Sequence, residues 1–390
     1  MARAHAARLT GFETTIFAER SKLAVATGSV NLGQGFPDED GPSDVIERAA
    51  QAMHEGRNQY APGRGTPELV AAVRAHQRAH YGIDLAPEQV VATTGATEAV
   101  AAAILGLVEP GDEVLTLEPY YDSYAAMVAM AGGVRRGVPL RGPSYRPDPA
   151  ELAAAITPRT RLLLLNSPHN PTGTVLTRTE LEQIAALALE HDLTVVTDEV
   201  YEHLTFTGAE HVPISTLPGM AERTLTISSI GKSFSLTGWK VGWATGPAAL
   251  VAAVESAKNW LTYTSGAPLQ PAAAYALDER VAWTGTLAAE LEAKRDLLVG
   301  GLRSLGLDAN DPQGTYFVMS DVADLGWPDA VAFADALVER AGVVVIPCPV
   351  FYGEEHRAGE GRHKVRWAFC KRRPVLEEAL ERLAGTDLSA

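Results

Sequence analysis

The sequence predicts an α/β protein: a large domain built on a mostly parallel sheet flanked by helices, joined to a smaller α+β domain. Three observations lead there. Between residues 88 and 246, short aliphatic and β-branched runs alternate with long helical patterns. Those runs are apolar throughout instead of alternating with polar residues, as strands covered on both faces must be. After about residue 283 the texture changes, and a chain of 390 residues has room for two closely packed domains.

Taken in order, EQVVATTG (88–95) reads as a strand ending in a glycine turn, and ATEAVAAAILGLVEPG as a helix stopped by Pro110-Gly111. DEVLTLEP is the next strand, followed by a helical segment from Tyr121 into AAMVAMAGG. TRLLLLNSP and LTVVTDEVY read as buried strands on either side of the amphipathic helix TRTELEQIAALALEHD, and RTLTISSIG repeats the pattern before KVGWATG. The smaller domain opens on the charged helix TLAAELEAKRDLLVGGLRSLG, continues through the strand-like pieces TYFVMSDV, GVVVIPCP and KVRWAFC, and ends on the helix VLEEALERLAG. The expected boundaries are an N-terminal segment 1–43 belonging to the small domain, a large domain 44–282 and a small C-terminal domain 283–390.

Composition narrows the function. A net charge of −15 works against sequence-blind binding to nucleic acid or to anionic membranes. The two cysteines, Cys348 and Cys370, are too few for a disulfide framework or a cysteine zinc site, and two buried thiols are expected. MARAHAARLTGF lacks the apolar core of a secretory signal, and no apolar stretch reaches the length of a membrane span, so a cytoplasmic location is expected.

Parallel sheets bind ligands at the carboxyl ends of their strands. Four such ends here are polar and punctuated by Gly or Pro: Thr94-Gly95, Asn166 to Asn170, Asp198 to Tyr201 and Ser228 to Lys232. Lys232 follows a buried strand between Gly231 and Ser233, where burial would lower its pKa and yield a neutral amine; alone, it would read as a surface lysine in a loop. The GKS triplet is not a P-loop, because Thr226 stands where the leading glycine is required. Ser229 and Lys240 lie around the same turn and suit an anionic phosphate. So do the amides of Ala96 and Thr97, which open a helix next to Gly95. Asp198 ends an apolar strand, where an unpaired carboxylate is expensive; a buried cationic N–H partner would keep it ionised, with Tyr201 one turn on. A helix-capping aspartate followed by a core tyrosine fits that pattern equally well. In NSPHNPTG (166–173) the prolines force an irregular loop that presents the Asn170 amide, although Pro-rich loops are common.

In their order and spacing, NLGQGFPDEDGP, NQYAPGRGTPEL, TTGATEAV, EPYYDSY, NSPHNPTG, TDEVYEHL, SSIGKSFSLTGWKVGW, GTYFV and VRWAFCKR make a recognisable set. The chain resembles the class I aminotransferases of the fold-type I pyridoxal-phosphate enzymes, which share the aspartate-aminotransferase-like fold. Within them it is most similar to the group of kynurenine aminotransferase, glutamine transaminase K and N-succinyldiaminopimelate aminotransferases. The resemblance implies pyridoxal 5'-phosphate as cofactor and a role for each matching position. Lys232 is implied to form the Schiff base, Asp198 to face the pyridine nitrogen, Tyr201 and Asn170 to donate to the ring's phenolic oxygen, and Tyr121 to stack on the ring. Gly95, Ala96, Thr97, Ser229 and Lys240 would surround the phosphate, with Tyr60 reaching it across a homodimer interface. Arg366 would clamp the substrate α-carboxylate. Phe17 and Gly35 fall near the substrate, and Tyr263 enters from the partner subunit; packing serves these three positions nearly as well. Arg64 departs from the pattern: it either pairs with an acidic substrate tail or is a plain surface arginine.

The reaction implied is a ping-pong transamination between an L-amino acid and a 2-oxo acid. A β-lyase acting on cysteine conjugates and a biosynthetic enzyme forming carbon–carbon bonds share the same residues and are the nearest alternatives. A nicotinamide dehydrogenase is disfavoured, because no G-x-G-x-x-G follows a strand. So is a DNA-binding regulator carrying this fold as an effector domain, for which the forty residues ahead of the large domain are too few.

Overall fold

The computed structural model describes residues 6–12 and 14–390. Its strands are β1 (Val30–Asn31), β2 (Val90–Thr93), β3 (Glu113–Glu118), β4 (Val134–Pro139), β5 (Thr160–Asn166), β6 (Thr194–Asp198), β7 (Thr224–Ser229), β8 (Gly242–Thr245), β9 (Asp308–Ala309), β10 (Phe317–Asp321), β11 (Val343–Val344), β12 (Ile346–Pro347) and β13 (Lys364–Ala368). Seven of them form one sheet in the order β2-β8-β7-β6-β5-β3-β4. Pairing is parallel from β7 through β6, β5 and β3 to β4, and antiparallel where β8 meets β2 and β7. Because β8 is flanked by two antiparallel neighbours, β2 runs in the same direction as β5, β6 and β7. Thr93, Asn166, Asp198 and Ser229 therefore finish on one edge.

The four-leucine run of β5 shows why its apolar pattern is continuous. Leu162 and Leu164 pack on one face with the helices Gly95–Leu107 and Ala248–Lys258; Leu163 and Leu165 pack on the other with the helix Arg178–Glu190. With both faces covered, each leucine is buried whichever way it points.

Strand β4 is absent from the pattern read in the sequence, since VRRGVP carries two arginines. It survives at the sheet edge because the adjacent β3 supplies buried carboxylates for both: Arg135 pairs with Glu118, and Arg136 with Glu113 at 3.0 Å. The helix expected from Tyr121 begins two residues later and spans Ser123–Ala131. The run GVVVIPCP is not one strand. Val343–Val344 pairs in parallel with β1, while Ile346–Pro347 pairs antiparallel with β13. That second pairing belongs to a sheet ordered β12-β13-β10-β9. A helix, Val281–Ser304, packs under this sheet with the helices Ala330–Ala341 and Arg373–Ala384, burying Leu298, Phe333, Trp367 and Leu376. Cys348 and Cys370 are buried free thiols. Among the described residues, no helix is long and apolar enough to cross a membrane.

Candidate active site

Beyond the end of β7 the chain makes a single helical turn, Ile230–Ser233, that carries Lys232; the lysine is therefore on a short helix and not in a loop. Its amine lies 5.9 Å from the Tyr201 ring centre and 5.6 Å from that of Tyr316. Burial, reinforced by the nearby charges of Lys240 and Arg366, pushes it down to about 8.

The neighbouring strand end holds Asp198. The Tyr124 hydroxyl donates to Asp198 Oδ2 at 2.6 Å, and the Val200 N–H approaches Oδ1 at 3.4 Å. Burial raises the Asp198 pKa, and the Tyr124 hydrogen bond acts against it. One strand further, Asn166 donates to the Asp198 carbonyl at 2.8 Å and accepts the Asn170 N–H at 2.7 Å, which locks the proline-rich loop onto the sheet. Both Ser167-Pro168 and Asn170-Pro171 are cis. Asn170 Oδ1 accepts from Arg366 at 3.1 Å, so the donor left to Asn170 is its amide NH2. Tyr201 is buried edge-on against Tyr316 and Phe317.

An anion cradle lies at the end of β2. The helix Gly95–Leu107 starts there with no side-chain cap, so its first amides remain available. Gly95 has φ +74°, and a Cβ at this position would press on Lys240 Cε and Nζ at 3.2 and 3.3 Å. A Cβ on Gly242 would strike the Gly95 carbonyl carbon at 2.7 Å and the Ala96 nitrogen at 2.8 Å. Only glycine at both positions lets the helix start, β8 and Lys240 converge. Lys240 Nζ reaches Thr97 Oγ1 at 3.3 Å.

Arg366, on β13, closes the opposite side. Its side chain is 1% exposed, Nη2 donates to the Gly33 carbonyl at 2.8 Å, and among the described residues the buried Nε has no partner. Phe317 covers the guanidinium at 4.0 Å and Phe17 at 4.8 Å. Among the described residues, no carboxylate lies within ion-pairing distance of it.

These groups surround one cavity of about 290 Å³. Of the residues read from the sequence, Lys232, Asp198, Tyr201, Asn170, Tyr121, Gly95, Ala96, Thr97, Ser229, Lys240, Arg366, Gly35 and Phe17 line it. Tyr121 lies tilted to Phe17 and edge-on to Tyr124, and burial pushes its hydroxyl up to about 12. Gly35 is needed for space, since a Cβ there would collide with the Phe317 ring.

Tyr60 and Tyr263 are not in the cavity. They meet edge-on at 5.4 Å and are 82% and 57% exposed, beside Trp260 at 90%. Arg64 is also outside, bound to Glu255 at 2.6 Å and to the Glu88 carbonyl at 2.7 Å. Sequence reasoning assigned no role to Tyr124, which holds Asp198, or to Gln34 and Ser123 on the cavity wall. Tyr124 falls inside EPYYDSY, yet nothing in that string says which of its three tyrosines turns toward Asp198.

The family model for aminotransferase class I and II matches residues 27–383. The chain belongs to the class I and II aminotransferases. It is 51% identical to a probable N-succinyldiaminopimelate aminotransferase of Mycobacterium tuberculosis over 385 residues, 97% of each chain. The solved structure of the N-succinyldiaminopimelate aminotransferase from that organism superposes with a TM-score of 0.95, covering 98% of this chain and 100% of the other. Kynurenine–oxoglutarate transaminase 3 of Mus musculus is 38% identical, over 97% of this chain and 89% of its own length. An Escherichia coli methionine aminotransferase structure superposes with a TM-score of 0.93 at 36% identity, covering 98% of this chain and 100% of its own.

The fold is thus that of the aspartate aminotransferases, and the aminotransferase uses pyridoxal phosphate. The cavity fits that cofactor. An anion cradle built around Gly95, a lowered-pKa lysine and a buried carboxylate lie around a single volume, and the orphaned Arg366 Nε borders it.

Proposed function

We propose that this aminotransferase moves the amino group of an L-amino acid to a 2-oxo acid in two half-reactions, the first oxo acid leaving before the second enters. The observation that carries the reading is the convergence of Lys232, Asp198 and Arg366 on one cavity with a phosphate-type cradle at its end. When bound, pyridoxal phosphate supplies the electron sink that makes a substrate Cα–H acidic. The chain supplies the rest. Ala96, Thr97, Ser229 and Lys240 would hold the phosphate, and Tyr121 would cover the ring. Asp198, to which Tyr124 donates, would face the ring nitrogen and hold a proton on it. Tyr201 and the Asn170 amide would donate to the phenolic oxygen. Arg366 grips the substrate α-carboxylate with a planar fork, and its apolar surroundings exclude water from that pair. Lys232, its pKa lowered by burial, would take and return the proton at the substrate Cα. The named relatives are all transaminases, which favours this outcome over elimination or carbon–carbon chemistry.

The working unit in this proposal is a homodimer. Tyr60, Trp260, Leu261 and Tyr263 form an exposed apolar patch. It is anchored at the phosphate end of the site, where Thr262 donates to Glu98 at 2.5 Å and Glu98 accepts the Thr94 N–H at 2.6 Å. Clustered exposed apolar side chains are one mark of an interaction surface, and a second copy would bring Tyr60 and Tyr263 to its neighbour's cavity.

Borohydride reduction of the holoenzyme followed by peptide mapping tests the core of the reading, with the cofactor expected on Lys232; a label on any other residue overturns it. A donor and acceptor panel read by mass spectrometry assigns the substrate. It begins with N-succinyldiaminopimelate because the 51% identical relative bears that name.

A further inference from the structure

A second cluster of ligating side chains lies behind the cavity, on the far side of the segment that carries Asp198 and Tyr201. The turn after Tyr201 continues into Glu202 and His203, and the helix Pro67–Tyr81 brings His76 against them. His76 Nε2 and His203 Nε2 are 2.7 Å apart. One ligand atom from each of His76, Glu202 and His203 falls within 4.8 Å of the others. His76 and Glu202 are buried, and His80, one helical turn after His76, sits at the exposed rim with its ring centre 4.6 Å from that of His76 and 5.2 Å from that of His203. The i, i+4 spacing places His76 and His80 on one helix face.

We propose that His76, Glu202 and His203 form a zinc-type metal site, with His80 at its mouth as the fourth ligand or the gate to an open fourth position.

The donor set is the first argument. Two imidazole nitrogens with a carboxylate suit zinc and related borderline ions, and do not suit calcium or magnesium, which take oxygen ligands. Charge is the second. Glu202 is buried, and among the described residues no lysine or arginine pairs with it; Tyr81 donates to it at 2.6 Å and Ser228 hydrogen-bonds its other oxygen. A divalent ion would compensate the Glu202 charge where no cationic side chain does.

The third argument is geometric. In a tetrahedral site with Zn–N bonds of about 2.0–2.1 Å, two nitrogens stand about 3.3 Å apart. The His pair would open by roughly 0.6 Å, a change that imidazole rotation alone can make. The bland reading is a proton shared between two rings, with Glu202 as its neighbour, and it predicts no metal. The remaining groups facing the cluster are Tyr81, Ser228 and, beyond Tyr81, His211, which is committed to Glu199 at 2.9 Å. Bound metal would tie the helix Pro67–Tyr81 to the turn after Tyr201 and, through Ser228, to the strand leading to Lys232.

The test uses the holoenzyme, stripped with a chelator and dialysed against Zn2+, with metal content measured by mass spectrometry. The expected result is about one zinc per chain, held at least about tenfold more weakly in His76→Gln and in His203→Gln. Unchanged stoichiometry and affinity in both variants, or no zinc retained by the wild type, overturns the proposal. If the variants do not fold, anomalous scattering from zinc-soaked wild-type crystals decides: a peak between His76, Glu202 and His203 supports the site, and its absence there sinks it. Co2+ loaded in place of zinc should give the intense visible bands of a tetrahedral ion. Thermal midpoints with and without metal give a readout independent of transamination, and zinc is expected to raise the wild-type value but not that of the variants.

Discussion

At one end of the cavity Asp198 sits with the Tyr124 hydroxyl at 2.6 Å, a hydrogen bond that offsets part of the cost of its burial. At the other end Arg366 is equally buried, but its partners are a carbonyl, an amide oxygen and three aromatic rings, and among the described residues one guanidinium nitrogen has no partner. The first is a support already assembled for one fixed ligand. The second is a cation left short of an anion, which a protein tolerates only where a ligand supplies the missing charge. The resident group is thus expected at the Asp198 end and the exchanging group at the Arg366 end.

The largest effect should come from removing the group between them. Lys232→Ala is expected to lower kcat by about 10²–10⁴-fold, the range for losing a positioned general base; near wild-type turnover would break the assignment. Because Lys232 is lowered to about 8, its neutral form is lost as pH falls through that value. The rate for a step that needs the free amine should fall on the acid side of about pH 8, as a pH–rate profile will show.

Arg366→Ala comes next, with kcat/KM expected to fall by about 10²–10³-fold as a buried charge pair is truncated. Arg366→Lys should recover only part of it, since a point charge does not replace a bidentate fork. If Arg366→Ala and Tyr124→Phe lowered the rate equally for substrates with and without an α-carboxylate, the contrast between the two ends would collapse.

Tyr124→Phe is expected to cost about tenfold in kcat/KM, the value of one hydrogen bond to a charged group. The Tyr124 hydroxyl favours the ionised carboxylate, so its removal raises the Asp198 pKa further. Loss of activity on acidification should then begin at a higher pH than in wild type. Arg64→Ala should be the mildest of the set. Its bond to Glu255 lies near the surface, where such pairs contribute about 0–1 kcal/mol, so steady-state rates should change less than about fivefold.

The two arginines also mark how far the sequence could be read. The family resemblance implied that Arg366 clamps the substrate α-carboxylate, whereas Arg64 stayed open between an acidic substrate tail and a plain surface arginine. Only the fold puts one against Asn170 inside the cavity and the other against Glu255 outside it. Likewise, EPYYDSY names three tyrosines, but which of them bonds Asp198 depends on where the helix Ser123–Ala131 begins, two residues later than its pattern suggested.

Local chemistry determined what depends on neighbouring residues alone. Continuous apolar runs dictated strands covered on both faces, glycine and proline fixed where those strands stop, and the polar residues behind them announced a site at one sheet edge. Those signals sufficed for the fold class and pointed to Lys232, Asp198 and Asn170 at the strand ends, whereas Arg366 entered only through the family resemblance. Tertiary structure decided whatever rests on partners distant in sequence. The arginine-bearing strand β4 exists because β3 offers Glu113 and Glu118 beside it. The GVVVIPCP run divides because its two halves pair with different strands. His76 meets His203 across 127 positions of chain. A pattern within one segment records which faces are to be buried, whereas the identity of what buries them is set by how the whole chain closes on itself.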